Sequence, residues 1–136
     1  MDENRDQRGV ERRPGEPMLD DSDLADLVEG IRLFNDGKFW HAHEAWEEVW
    51  RRKAGEWDAF FKGIIQAAAA FHKMGEGSLK GTRIHLDRSI TKLRPCAPEF
   101  LGIKIAALLR DLERCRDEIE RGRFPVRAVP VLRRVH

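Results

Sequence analysis

Two histidines, three glutamates and two tryptophans crowd the ten residues HAHEAWEEVW, positions 41 to 50. Side chains of these types allow three kinds of chemistry. An imidazole with a carboxylate one helical turn away can serve as a general base with its orienting partner. Histidine and glutamate together can ligate a metal ion. The same groups can also satisfy one another, and the indole N–H groups, along the polar seam of a packed helix.

Spacing separates the residues. On a helical wheel of about 100° per residue, Phe39, Ala42, Trp46, Val49 and Trp50 share one broad apolar arc. His43 lies at the edge of that arc, and Glu47 follows one turn later, so the two are half-buried neighbours at i, i+4. Glu44 flanks them, whereas His41 and Glu48 point to solvent. Glu44 and Glu47 are candidate acceptors for the tryptophan N–H groups. All four tryptophans, with Trp40 and Trp57, fall between residues 40 and 57.

The three readings stay open for His43 and Glu47. A buried polar group without a partner costs on the order of a few kcal/mol, which favours a mutually satisfied core pair. A metal centre in a helical bundle normally repeats Glu-x-x-His on two helices, and no Glu-x-x-His occurs here. His43-Glu44 is not followed by the second histidine of H-E-x-x-H, and His72 and His85 stand alone. No metal and no cofactor are therefore expected. Acid–base catalysis, with Glu47 orienting His43, is the remaining reading.

These side chains need helices to position them. LDDSDLADLVEGIRLFNDGKF carries caps at Asp20 to Asp23, an apolar face of Leu24, Leu27, Val28, Ile31 and Phe34, and a stop at Asn35-Asp36-Gly37. The second helix is predicted from about Lys38 to Lys53 and the third from about Trp57 to Met74. The third is apolar around most of its circumference, which puts it at the centre. Gly63, Ala67 and Ala70 would let a neighbour approach it closely. Gln66 interrupts it, either facing solvent or holding a buried hydrogen bond. His72 suits the negative helix end, and His85 is marginal to the stripe Leu79, Thr82, Leu86, Ile90, Leu93 of a fourth helix capped by Ser78. Gly81, inside that helix, implies a close contact. PCAPEFLG reads as a loop, and a fifth helix runs from about Ile103 to Glu120. Only the tail VRAVPVL hints at a strand, and Pro130 argues against pairing there. The fold class is all-α: a compact antiparallel bundle of about five helices.

The expected organisation is a flexible N-terminal segment (1–18), a helical domain (19–122) and a basic C-terminal tail (123–136). Residues 121 to 136 hold five arginines and no acid. That run could touch RNA, an anionic partner or the domain's own acidic surface, but its plainer reading is a solvated tail over the bundle. The charged fraction of 36% against 41% apolar suits a soluble helical protein. A net charge of +1 offers no global attraction to nucleic acid or anionic membrane, so neither partner is expected. The apolar run GIIQAAAAF is too short to span a bilayer. The start MDENRDQRGV lacks a signal-peptide core. Cys96 and Cys115 lack C-x-x-C spacing and read as reduced thiols in a cytoplasmic protein.

FNDGKFWHAHEAWEEVWR (34–51), FFKGIIQAAAAFHKM (60–74) and GSLKGTRIHL (77–86) together resemble the domain-of-unknown-function 309 family, over about residues 24 to 120. The family pattern, F-N-x-G-x-F/Y-x-x-A-H-E-x-W-E-x-x-W followed by a G-L/I-I-Q-x-A helix, carries onto Phe34, Asn35, Gly37, Phe39, Ala42, His43, Glu44, Trp46, Glu47 and Trp50, then Gly63, Ile65, Gln66 and Ala68. Thr82 departs from it, standing where alanine is common. The resemblance implies an all-helical domain and no established activity. It selects His43, Glu44, Glu47 and Gln66 but not His41 or Glu48. The expected functional surface is a polar pocket of His43, Glu44 and Glu47, walled by Trp46 and Trp50 and reached by Gln66. It would serve a binding or interaction domain whose partner is a small molecule or protein, or alternatively a small hydrolase-like or metal-dependent enzyme using His43 and Glu47.

Overall fold

Capping and glycine stops cut the chain into the expected helices. The computed structural model describes residue 16 and residues 19–53 and 58–135. Helix α1 (Asp21–Asn35) begins in a capping box: the Asp23 N–H donates to Asp20 at 2.7 Å, and Asp23 accepts the Asp20 N–H in return. It stops at Gly37, whose φ of +81° suits glycine, and the Lys38 N–H reaches back to the Leu33 carbonyl at 2.8 Å. Helices α2 (Phe39–Arg52), α3 (Asp58–Gly75) and α4 (Leu79–Leu93) follow, the last capped by Ser78 Oγ. A 3-10 turn (Arg94–Cys96) leads on to α5 (Ile105–Glu120).

Asp23 does more than cap. It is buried, and its carboxylate receives Arg52 Nε at 2.7 Å and Lys53 Nζ at 3.2 Å, tying the start of α1 to the end of α2. Burial works to raise its carboxyl pKa. The hydrogen bonds from Arg52 and the Asp20 region, together with the Lys53 charge, outweigh that and hold it below the ordinary 3.8. The stabilisation is therefore present above pH 3.8 and is lost as pH falls through the lower folded value. Asp23→Ala should cost about 2 kcal/mol at neutral pH, combining a lost cap with two cations left short of a partner. In urea melts, the gap between variant and parent should close at low pH.

Helix α3 is the centre of the bundle. Phe60, Phe61, Ile64, Ala67, Ala68, Ala70 and Phe71 are buried on it, and it packs most extensively against α4. A Cβ on Gly63 would lie 2.5 Å from Leu93 Cδ2, so the bare glycine is what admits α4 so closely. The Ser89 hydroxyl donates to the Gly63 carbonyl at 2.7 Å in the same seam. The close contact at Gly81 is with the Lys73 stem and its own cap, Ser78.

Two details differ from the sequence reading. The segment read as a loop holds a short antiparallel pair, β1 (Glu99–Phe100) with β2 (Ile103–Lys104), so α5 starts at Ile105 and not Ile103. Its two-residue turn, Leu101-Gly102, has φ of 49° and 75°, the doubly left-handed form that closes tight hairpins. Strands of two residues are too short to show alternation. VRAVPVL (126–132) forms no strand, in line with Pro130; the pairing comes just after it, where Arg134 bridges Ile103 and the Lys104 N–H donates to the Arg133 carbonyl at 2.8 Å.

The tail lies on the bundle. Val126 and Leu132 are buried, and Asn35 exchanges two hydrogen bonds with the Leu132 backbone. Of the N-terminal segment, Glu16 is buried and accepts the Leu101 N–H. Residues 1–15 and 17–18, on which the expectation of flexibility rests, lie outside the described residues, as does Trp57, where the third helix was expected to start. Both cysteines are buried, and burial pushes the Cys115 thiol up to about 11. No helix among the described residues is long and apolar enough to cross a membrane.

Candidate functional site

Helix α2 distributes the expected residues over three surroundings. Trp46 is wholly buried and its indole N–H donates to the Leu27 carbonyl of α1 at 3.1 Å. The Trp50 N–H donates to Asp58 Oδ1 at 3.0 Å, and Lys62 lies over its ring. Neither indole uses Glu44 or Glu47, the acceptors suggested by the sequence. Partners on neighbouring helices win because these rings point inward, away from the carboxylates. Glu44 is exposed and faces His41 at 3.6 Å, on the solvent side.

His43 and Glu47 do meet, with Nε2 to Oε1 at 3.4 Å and side-chain exposures of 16% and 31%. Glu47 also accepts from Arg51 at 3.1 Å. The other ring nitrogen, His43 Nδ1, is buried without a hydrogen-bond partner among the described residues. A buried acceptor without a partner costs about 1–3 kcal/mol.

Two residues that the sequence reading set aside complete the surroundings. Trp40 stacks on His43, with ring centroids 4.9 Å apart and planes 8° from parallel. Its other neighbour is His72 of α3, at 5.2 Å. Trp40 remains 48% exposed, and its indole N–H makes no hydrogen bond among the described residues. His72 in turn faces Glu76 at 3.7 Å. A cleft of about 600 Å³ opens beside it, lined by Phe39, Phe71, His72, Met74, Glu76 and Pro125. His43, Glu44 and Glu47 do not line this cleft.

Gln66 resolves in favour of a hydrogen-bonding role. Its Oε1 lies in a short contact with His85 Nδ1 of α4. An amide oxygen only accepts, so Nδ1 carries the proton and Nε2 offers a lone pair. Burial lowers the His85 pKa first, and the charges of Arg88, Lys73 and His43 push it the same way. The ring is therefore neutral at pH 7. The sign is definite: stability from His85 is full above its unfolded value, near 6.5, and is lost as pH falls through the depressed folded value. An NMR titration should place the His85 midpoint below 6.5, and His85→Gln should flatten the stability loss between pH 7 and 5.

Of the residues proposed from sequence, the structure thus joins His43 to Glu47 and Gln66 to His85. It sends Trp46 and Trp50 to the packing between helices and turns Glu44 outward. A signal for Gln66 and His85 existed. They stand nearly equidistant from the Gly75–Gly77 turn of the α3–α4 hairpin, as do Gly63 and Ser89. Antiparallel helices joined by a short loop bring such positions together. No metal-binding group of three or more His, Cys, Asp or Glu side chains occurs among the described residues.

Comparison with known proteins adds a family. Residues 27–84 match the family described as Domain of unknown function (DUF309). A protein of Aquifex aeolicus (strain VF5), named only as an uncharacterized protein, is 31% identical over 100 residues, which is 73% of this chain and 30% of the relative. The chain spans less than a third of that relative's length.

Proposed function

Residues 27–84 of this chain match the DUF309 family, and from that premise we propose that the domain is a binding module. Its contact surface is the edge formed by Trp40, His43 and His72 with the adjoining cleft. One observation carries this reading: a half-exposed tryptophan is held flat on one imidazole and against another. A ring already fixed by its neighbours loses little further freedom on binding, and its open face and free N–H suit a planar, hydrogen-bonding group. The cleft beside His72 lies in the size range of small-ligand sites.

The hydrolase-like alternative is weaker on geometry. Glu47 is placed to orient His43 through Nε2, which makes Nδ1 the atom that would have to take a proton. That atom is enclosed by protein.

The reading is tested by titrating the labelled protein with adenine and with nicotinamide as planar probes, following amide and indole resonances. Shifts should concentrate at the Trp40 indole N–H and the backbone around His43 and His72. Shifts confined to other surfaces, or none at millimolar probe, would refute it.

A further inference from the structure

The whole-chain charge of +1 conceals a one-sided face. The solvent half of α4 and the turn after it carry Lys80, Arg83, Arg88, Lys92 and Arg94, all exposed. Against these five cations stands one carboxylate, Asp87, which Arg116 of α5 already approaches at 3.8 Å. None of the five makes a side-chain ion pair or hydrogen bond among the described residues. The contrast with α1 and α2 is plain, where Arg32, Arg51, Arg52 and Lys53 are all paired with carboxylates. Exposed cations without carboxylate partners stay open to an anion from outside.

The face runs about 20 Å from Lys80 to Arg94, at 1.5 Å per residue. Its Lys80 end leads to Trp40 through a chain of contacts. Trp40 lies against His72, and the stem of the next residue, Lys73, covers Gly81 of α4. Exposed Leu79 and Ile84 lie on the same helix. Cations spread over the solvent half of a helix, with an open aromatic ring reached past one end, combine charge for a phosphate backbone with a surface on which an unpaired base can stack. An acidic peptide would use the cations and leave the ring without a role.

We propose that the solvent face of α4 binds the phosphate backbone of a single-stranded nucleic acid, with Trp40 as the platform for one base at the Lys80 end. The base platform rests on the reading of Trp40 given above; the cationic face does not.

The test is fluorescence anisotropy with the full chain and labelled 20-nucleotide oligouridylate and oligodeoxythymidylate. Binding should be measurable at 50 mM salt and weaken roughly 50-fold at 200 mM, as expected for about four phosphate contacts. Arg83→Gln/Arg88→Gln/Lys92→Gln should bind at least tenfold more weakly while melting with the parent. Should that triple variant not fold, Arg83→Gln and Arg88→Gln singly should each weaken binding about threefold. Trp40→Ala should weaken it about tenfold, while Arg127→Gln/Arg133→Gln in the tail should leave it unchanged. No binding at 50 mM salt would overturn the proposal. So would loss through the tail variant instead, or equal competition by polyglutamate of the same length. Loss in the α4 variant with none in Trp40→Ala would overturn the single-strand assignment and, separately, the role given to Trp40. A negative result here with positive fragment shifts at Trp40 would leave the binding reading standing and remove only this partner.

Discussion

Trp46→Ala should cost about 3–5 kcal/mol and lower the melting temperature by roughly 10 °C or more. Trp46 is fully buried, its ring tilts against Phe34 at 5.9 Å, and its indole N–H holds the Leu27 carbonyl inside α1. Truncation leaves a cavity between α1 and α2 and removes the second hydrogen bond on the Leu27 carbonyl, which keeps only its bond within α1. Urea unfolding followed by far-ultraviolet circular dichroism measures it directly. A loss under about 1 kcal/mol would mean that the α1–α2 seam is not packed on this ring.

Gly30→Ala, on the facing helix, is the second large effect, and its sign separates two principles. Helix propensity alone favours alanine over glycine inside α1 by about 1 kcal/mol. Packing says the opposite. A Cβ at Gly30 would sit 2.1 Å from Trp46 Nε1, 2.5 Å from Cδ1 and 2.7 Å from Cε2. These are atoms of a buried ring with no free space to retreat into, so the substitution should destabilise by about 3 kcal/mol, at the upper end for overpacking. In a Trp46→Phe background the offending five-membered ring is gone, and Gly30→Ala should cost at least 1 kcal/mol less. That coupling falls in the range of about 0.5–3 kcal/mol found for residues in contact. Additive losses would mean that the alanine is disfavoured for some reason other than this ring.

Much of this was readable before any coordinates. Apolar spacing and the stops at Gly37 and Gly75–Gly77 marked the helices, because amphipathic periodicity and capping are local properties. The i, i+4 pairing of His43 with Glu47 followed from the same geometry. Partners drawn from other helices did not follow. The acceptors of Trp46 and Trp50 are Leu27 and Asp58, set by how α2 docks and not by which carboxylate is near in sequence. The β1–β2 hairpin escaped because two residues a side carry no period, only the Leu101-Gly102 turn. The most consequential omission was Trp40. A tryptophan on the flank of an apolar arc looks like a margin of the core, and only tertiary structure shows that it stacks on His43 while half its surface stays open. Net charge is silent in a similar way. A sum near zero does not register that the cations at the end of α2 are paired while those of α4 have no ion pair among the described residues.

The fold therefore contains two tryptophans on one helix, six residues apart, with opposite assignments. Trp46 is a packing residue, and Trp40, half exposed, is the centre of the edge proposed for binding. The most direct test needs no ligand: unfold Trp40→Ala beside Trp46→Ala under the same conditions. The account predicts a loss of less than about 1 kcal/mol for Trp40→Ala, the scale of an exposed ring giving up one stacking contact, against 3–5 kcal/mol for Trp46→Ala. A Trp40→Ala variant as unstable as Trp46→Ala would show that Trp40 is part of what holds the bundle together, and the binding edge would lose its central residue.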